Sequence, residues 1–599
     1  MNTSHGYLFA VVSVCLGLSA ARAENSPTAT NDPLGRKVAD FTLHDYLGAK
    51  HSLAGWSERP IVVVVFLGTE CPLAKLYGPQ LQKMAEKYAE QGVQFVGINS
   101  NRQDTLEEIG HYARLHKIEF PVLKDPGNRI ADRFGAERTP VAYVLDRERV
   151  IRYCGRIDDQ YGVGYARPAA TTSDLASALD EVLAGKPVSK PVTSAVGCYI
   201  GRLEQEPANG EVNYSRHIAP IFSENCVRCH RSGEVAPFTL TSYDDVLGWG
   251  DTIAEVVRDG RMPPWHANPA HGKFANDARL PDDAKQLIYD WVENGMPEGD
   301  RADLPEPREF ADGWQIGKPD AVYQMPRSFD VPDHGVVPYQ YFILDEKFDK
   351  EVWISAAELR PGNRAVVHHM IMFFVPPDKR SLDGEDALTN SIATFAPGMP
   401  PLTMPEGCAL RIPAGSRLLF QAHYTPNGSP QTDRSEAGLV FVDPKSVKHE
   451  VRIDGAMNQR FKIPAGANDY EVKSAHVIDR DSLLLWLTPH MHLRGKSFRF
   501  TAHFPDGRDE ILLDVPRYDF NWQNVYKLVE PKRLPAKTRI DMVAHYDNSA
   551  DNPVNPDPTK PIRWGDQSWE EMMIGTLALT SAEQGDTGAA ETSADAGGE

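Results

Sequence analysis

The chain has 599 residues, of which 41% are hydrophobic and 24% charged, with a formal net charge of −20. That length exceeds what one hydrophobic core sustains, so roughly three to five domains are expected. The acidic balance repels phosphate backbones and argues against a nucleic-acid-binding role, and beyond the N-terminus no run of about 18 apolar residues predicts a membrane span.

The N-terminus carries an apolar stretch from Tyr7 to Ala20, followed by Ala21-Arg22-Ala23. This pattern predicts a signal peptide over 1–23 and an exported protein, periplasmic or extracellular. Cleavage would leave Cys71, Cys154, Cys198, Cys226, Cys229 and Cys408. Six cysteines in so long an exported chain are too few for a disulfide scaffold.

Residues 33–185 alternate strand and helix. IVVVVFL (61–67) is apolar on both faces, as in a fully buried strand. A helical pattern follows, then the strand VQFVGINS, a second helix, and strands at TPVAYVLD and RVIRYC. This is a βαβ pattern around a central, mostly parallel sheet. Cys71 sits at the first strand-to-helix turn, where the helix dipole favours thiolate. The stretches DFTLHDYLG, FLGTECPLAKLYGP and FGAERTPVAYVLD resemble the redoxin, or thioredoxin-like, superfamily. That resemblance implies a thioredoxin-like α/β fold, a redox thiol at Cys71 and a cis-proline at Thr139-Pro140. The usual C-x-x-C is Cys71-Pro72-Leu73-Ala74 here, and Gly68 stands where a peroxiredoxin carries threonine. Cys154 and Cys198 are both candidates for a resolving thiol. A retained fold without thiol chemistry is the alternative.

The Pro/Ser/Lys-rich KPVSKPVTSA (186–195) predicts a linker over 186–209. Residues 210–305 carry helical patterns at DDVLGWGDTIAEVVRDG and DDAKQLIYDWVENG, which predict a small all-α domain. Within it, Cys226-x-x-Cys229-His230 is the c-type haem attachment signature. Two thiols one helical turn apart can form thioethers to two vinyl groups, and the histidine can reach the iron. A zinc site would need a second ligand pair, and the chain has no other C-x-x-C. A disulfide between the two cysteines is the remaining alternative. The segment resembles class I cytochrome c domains. The resemblance implies one covalently bound haem c with His230 as one axial ligand and Met262 as the other. His266, His271 and Met296 are further candidates for that second position.

After a boundary near 301–313, residues 315–580 show short alternating strands with turn residues between them, an all-β signature long enough for two sandwiches. The domains are set at 315–460 and 461–580, and the small, acidic tail 581–599 is expected to be disordered. Histidines cluster here. In a strand, i and i+2 face one side, so His490 and His492 can hold one ion. Adjacent His368 and His369 face opposite sides unless a bulge or an edge intervenes. His423, on an apolar strand, is a further candidate.

HHM, Q-x-H-Y-T, H-M-H-x-x-G and the later E-E-M resemble the copper type II, ascorbate-dependent monooxygenases, the family of peptidylglycine α-hydroxylating monooxygenase and dopamine β-monooxygenase. The resemblance implies two jelly-roll-like β domains with one copper on each, facing across a solvent cleft. It implies an electron-transfer copper on His368, His369 and His423, and an oxygen-binding copper on His490, His492 and Met572, with Met573 one register step away and His545 as a possible third imidazole. Imidazole suits copper, and a thioether selects Cu(I). The expected function is a copper- and haem-dependent monooxygenase that hydroxylates a C–H bond of a small molecule or peptide with O2. Its electrons would come from an ascorbate-like donor or another redox protein and pass through haem c. The alternatives are a non-catalytic electron-transfer or copper-binding protein, and a thiol-disulfide oxidoreductase or peroxidase centred on Cys71.

Overall fold

The computed structural model describes residues 33–202, 211–310, 313–382 and 384–582. The expected signal peptide and all but the first two residues of the expected tail lie outside the described residues.

The first domain is built on a seven-stranded sheet. Its order is Lys50–Ser52, Thr42–Asp45, Val122–Lys124, Val93–Asn99, Ile61–Phe66, Val141–Leu145, Ile151–Gly155. All six residues of Ile61–Phe66 are buried, because this strand is central and both faces are covered. Val63 and Val65 pack into one core with Leu81 and Tyr88 of the helix Pro72–Ala89. Val62 and Val64 pack into the opposite core with Ile130 and Phe134. The sheet is mixed rather than mostly parallel: only the pairings of Val93–Asn99 with Ile61–Phe66 and with Val122–Lys124 are parallel. One cause is a tight turn after Val141–Leu145. There Asp146 Oδ1 accepts from the N–H groups of Glu148 at 3.0 Å and Val150 at 2.9 Å, and the chain returns antiparallel.

The expected linker is not free chain over its described part. Cys154 N–H donates to Pro191 O and Thr193 N–H to Cys154 O. The two-residue strand Cys198–Tyr199 pairs antiparallel with Arg138–Thr139. The helical region follows, with Ala219–Asn225, Tyr243–Val246, Gly250–Arg258 and Asp282–Glu293 packed around Trp291, which is fully buried. The single helical pattern read over 244–260 is in fact two helices. Gly248 separates them with φ +89°, and a Cβ there would stand 2.2 Å from Gln103 Oε1 of the first domain.

Two β-sandwiches complete the chain. In the first, the sheet Gln340–Lys347, Arg417–Tyr424, Val367–Val375, Ser391–Phe395 faces a second sheet centred on Val352–Arg360 and Glu436–Phe441. In the second, one sheet has the order Arg452–Met457, Ile574–Ser581, Ser482–His490, Tyr526–Leu534. The other has the order Tyr470–Val477, Arg539–Tyr546, Gly495–His503, Asp509–Val515. The boundary expected at 460/461 moves to about Val451, since Arg452–Met457 pairs along its length with Ile574–Ser581. The helical region also reaches into the second sandwich. Trp265 and Phe274 join its core beside Tyr526, and Ala275 N–H donates to Lys527 O at 2.8 Å.

Candidate functional site

Cys71 caps the helix Pro72–Ala89 in extended conformation (φ −67°, ψ 117°), with Pro72 as the first helical residue. The Thr139-Pro140 bond is cis and lies beside it. The Cys71 thiol donates to Thr139 O at 3.0 Å. Burial pushes this thiol up. Hydrogen bonds from the Cys198 thiol and backbone and from Ala74 N–H favour the thiolate and outweigh burial, which brings the pKa down to about 6. Cys198 moves the opposite way, well above the ordinary thiol value, because it is the hydrogen-bond partner of Cys71 and is itself buried. Cys154 packs on the other face of the sheet, in the core with Val62 and Phe66, so of the two resolving candidates only Cys198 is beside Cys71.

Cys226, Cys229 and His230 lie on one turn. The N–H groups of Cys229 and His230 both donate to Cys226 O, each at 3.0 Å. The His230 ring is fixed by its Nδ1 against Phe238 O at 3.1 Å, which leaves Nε2 for a ligand. Burial lowers the pKa of the ring and keeps it neutral. Phe238 stacks on Trp249 at 3.9 Å between centroids. Met262 lines the same cavity as this turn. Met296 is buried in the helical core, and neither His266 nor His271 lines the cavity. Cys226, Cys229 and His230 on one turn are the donor types a c-type haem takes, with Met262 elsewhere on the wall of the same cavity.

The histidine arrangement depends on a bulge. The register between Val367–Val375 and Arg417–Tyr424 shifts between Val367 and His369, which turns adjacent His368 and His369 toward His423. His369 stands directly opposite His423 across the ladder. One nitrogen from each of His368, His369 and His423 lies within 4.8 Å of the others. In the second sandwich, the rings of His490 and His492 are 5.2 Å apart between centroids. Burial, as the leading cause, holds all five imidazoles below their ordinary pKa, so their lone pairs are available at neutral pH. His423 Nδ1 and His492 Nε2 are buried without a hydrogen-bond partner. Buried, unpartnered imidazole nitrogens that converge are what a metal site requires and what a packed core avoids. Met572 lines the cavity with His490 and His492. Met573 instead points into the sandwich core, and His545 pairs with Asp469 at 3.1 Å, away from both.

The two histidine groups do not face each other across an open cleft. Phe520 lies within 6.0 Å of the rings of His368, His369, His423 and His492. Tyr339 touches His369, His423 and His492. Gln523 joins the groups: its Oε1 is 2.8 Å from His490 Nδ1 and its Nε2 is 3.4 Å from His369 Nδ1. Below His492, the buried carboxyl of Glu571 accepts from the N–H groups of His492 at 2.9 Å and Arg494 at 2.6 Å. Sequence reasoning missed Gln523, Tyr339, Phe520 and Glu571, of which only Glu571 had a signal, as the residue preceding Met572.

One continuous cavity of about 1050 Å³ reaches all three groups. Cys71 and Cys198 line one part of it, and the turn with Cys226, Cys229 and His230 lines another. His369, His490 and His492 line a third.

Residues 34–154 match the AhpC/TSA family model. They form a thioredoxin-like α/β domain. The chain is 29% identical over 126 residues to a putative chloroplastic peroxiredoxin Q of Oryza sativa subsp. indica, a match that covers 20% of this chain and 57% of that protein. It is 26% identical over 142 residues to the thiol-disulfide oxidoreductase ResA of Halalkalibacterium halodurans, covering 23% of this chain and 77% of that protein. A solved hypothetical protein from Sinorhizobium meliloti 1021 is 36% identical, with 29% of this chain and 96% of that one covered and a TM-score of 0.27. The chain thus spans little more than half the length of the rice relative. The family match ends at Cys154, before Cys198, the C-x-x-C-H turn and the histidines. Among the described residues, no helix is long and apolar enough to cross a membrane.

Proposed function

We propose that this chain is an exported oxidoreductase whose first domain works as a thiol-disulfide oxidoreductase or peroxidase at Cys71. The observation that carries this reading is the Cys71 thiol at a helix N-terminus, hydrogen-bonded by Cys198, with a pKa lowered to about 6. The match over 34–154 supports the same chemistry. A thiolate is the attacking species in either reaction. Cys71→Ser is expected to abolish turnover of a small disulfide or hydroperoxide, measured by coupled reductant consumption. His490→Ala is expected to leave that turnover within about twofold. Loss in His490→Ala with retention in Cys71→Ser would overturn the reading.

The convergence of His368, His369 and His423, with His490 and His492 joined to them through Gln523, favours a second reading. In it, the β region is a two-copper monooxygenase module that hydroxylates a C–H bond, and electrons reach it through haem c. His368, His369 and His423 would hold one copper, and His490, His492 and Met572 the other. Bound copper would supply one-electron chemistry and O2 activation. The chain's own part is to present neutral imidazoles, to fix His490 through Gln523 and His492 through Glu571, and to exclude water with Tyr339 and Phe520. Metal analysis of protein exported by a host that matures c-type haem is expected to give about two copper and one iron per chain. His368→Ala is expected to lose one copper and Met572→Ala to weaken the other, with tenfold to 100-fold lower affinity as the scale for a perturbed ligand sphere. Absence of copper, or zinc in its place, would remove this reading.

A further inference from the structure

We propose that Cys71 and Cys198 form a reversible dithiol–disulfide pair, with Cys198 as the resolving thiol supplied by the segment that joins the first domain to the helical region. This rests on the thiol reading above and goes beyond it, because Cys198 lies outside the matched segment.

Three observations on geometry carry it. First, the strand Cys198–Tyr199 places Cys198 directly opposite Thr139, the residue whose carbonyl accepts the Cys71 thiol at 3.0 Å. Second, the seat is tight. Gly197 has φ +142°, and a Cβ there would stand 2.0 Å from Thr139 O, so the approach that brings Cys198 to the thiol needs a glycine. Third, the two cysteines line the same cavity. The opposite displacement of the two thiol pKa values agrees with this order of events: Cys71 attacks while Cys198 keeps its proton until the second step.

The exchange balances without another reactant. The Cys71 thiolate attacks one sulfur of a small external disulfide, a mixed disulfide forms, and one external thiolate leaves. Cys198 loses its proton and attacks the Cys71 sulfur, and the second external thiolate leaves. The protein loses two protons and two electrons, and the external disulfide is reduced to two thiols. The same segment touches the helical region. Cys198 packs against both cores, Tyr199 N–H donates to Thr252 Oγ1 at 3.1 Å, and Arg138 lies over Tyr199 while pairing with Glu255 at 2.5 Å. The segment that carries Cys198 therefore contacts the helix Gly250–Arg258, which borders the C-x-x-C-H cavity.

The test uses the full chain in glutathione buffers of graded oxidation, with acid quench, alkylation and non-reducing peptide mapping. A peptide pair linking Cys71 to Cys198 is expected to appear and vanish reversibly. In Cys198→Ser, glutathione is expected to remain on Cys71 as a mixed disulfide, and in Cys71→Ser neither product forms. A mixed disulfide in the wild type that no second cysteine resolves, or a link from Cys71 to Cys154, would overturn the pair while leaving Cys71 reactive. If Cys71 takes up no glutathione in any variant, the thiol reading itself fails.

Discussion

Cys71 of the reduced protein is expected to be about half thiolate at pH 6, where an ordinary thiol of pKa about 8.5 is roughly 0.3% thiolate. A less basic thiolate is a weaker nucleophile, and a slope of about 0.4–0.5 over that difference gives back roughly tenfold. At equal access the net expectation is alkylation about tenfold faster than an ordinary thiol at pH 6; because Cys71 is 1% exposed, the quantity that tests the pKa is the pH at which its labelling rate levels off, above about pH 7. The measurement is the pH profile of iodoacetamide labelling, read on the Cys71 peptide by mass spectrometry. Two opposing effects meet in this number. Burial alone raises the thiol pKa, and the Cys198 and Ala74 hydrogen bonds lower it. Cys198→Ala removes a thiol donor and should move the midpoint upward, toward that of an ordinary thiol, while Cys198→Ser retains an O–H donor and should move it less. A wild-type midpoint at or above about 8.5 would mean that burial wins and that the hydrogen-bond account is wrong.

The parts legible in the sequence are those whose signal is local. IVVVVFL reads as a doubly buried strand because every residue is apolar, and the sheet places it at the centre. Cys71 at a strand-to-helix turn and the cis Thr139-Pro140 bond follow from short motifs. The condition on His368 and His369, a bulge or an edge, is read from strand periodicity, and the register shift at Val367 meets it. What escapes is long-range. Cys198 sits in a stretch that reads as a Pro- and Ser-rich linker, and its pairing with Thr139 involves only two residues. Arg452–Met457 joins the second sandwich through a partner more than a hundred residues away. Trp265 and Phe274 have no periodicity, yet they complete a core that the following domain forms. Gln523 comes from a loop with no strand or helix pattern, so nothing local marks a side chain whose amide reaches an imidazole from each sandwich.

Glu571→Ala is expected to be the most destabilising single change beside the histidines, at roughly 2–6 kcal/mol, the scale for two buried N–H groups each left unsatisfied. Glu571 is fully buried and Arg494 is 1% exposed. Burial pushes Glu571 up to about 7, with the N–H groups and charge of Arg494 acting against it. Burial likewise lowers Arg494, with Glu571 as the first opposing charge. The guanidinium donates to Asn548 Oδ1 at 2.9 Å and Trp569 O at 3.0 Å, which are neutral acceptors. Alanine would orphan the backbone N–H groups of His492 and Arg494, each at a cost of roughly 1–3 kcal/mol if water cannot reach it. Glu571→Gln keeps the volume and one acceptor but turns an NH₂ toward one of those N–H groups, so it should fall between wild type and alanine. Hydrogen exchange along Ser482–His490 locates the loss in the second sandwich, and the unfolding midpoint in urea gives its size. A change in Glu571→Ala below about 1 kcal/mol, the range of ordinary substitutions, would show that water reaches those N–H groups and that the carboxyl does not anchor His492. The expected result instead makes Glu571 the residue that fixes the backbone from which His492 projects, so that the fold of the second sandwich and the placement of its imidazoles depend on the same buried carboxyl.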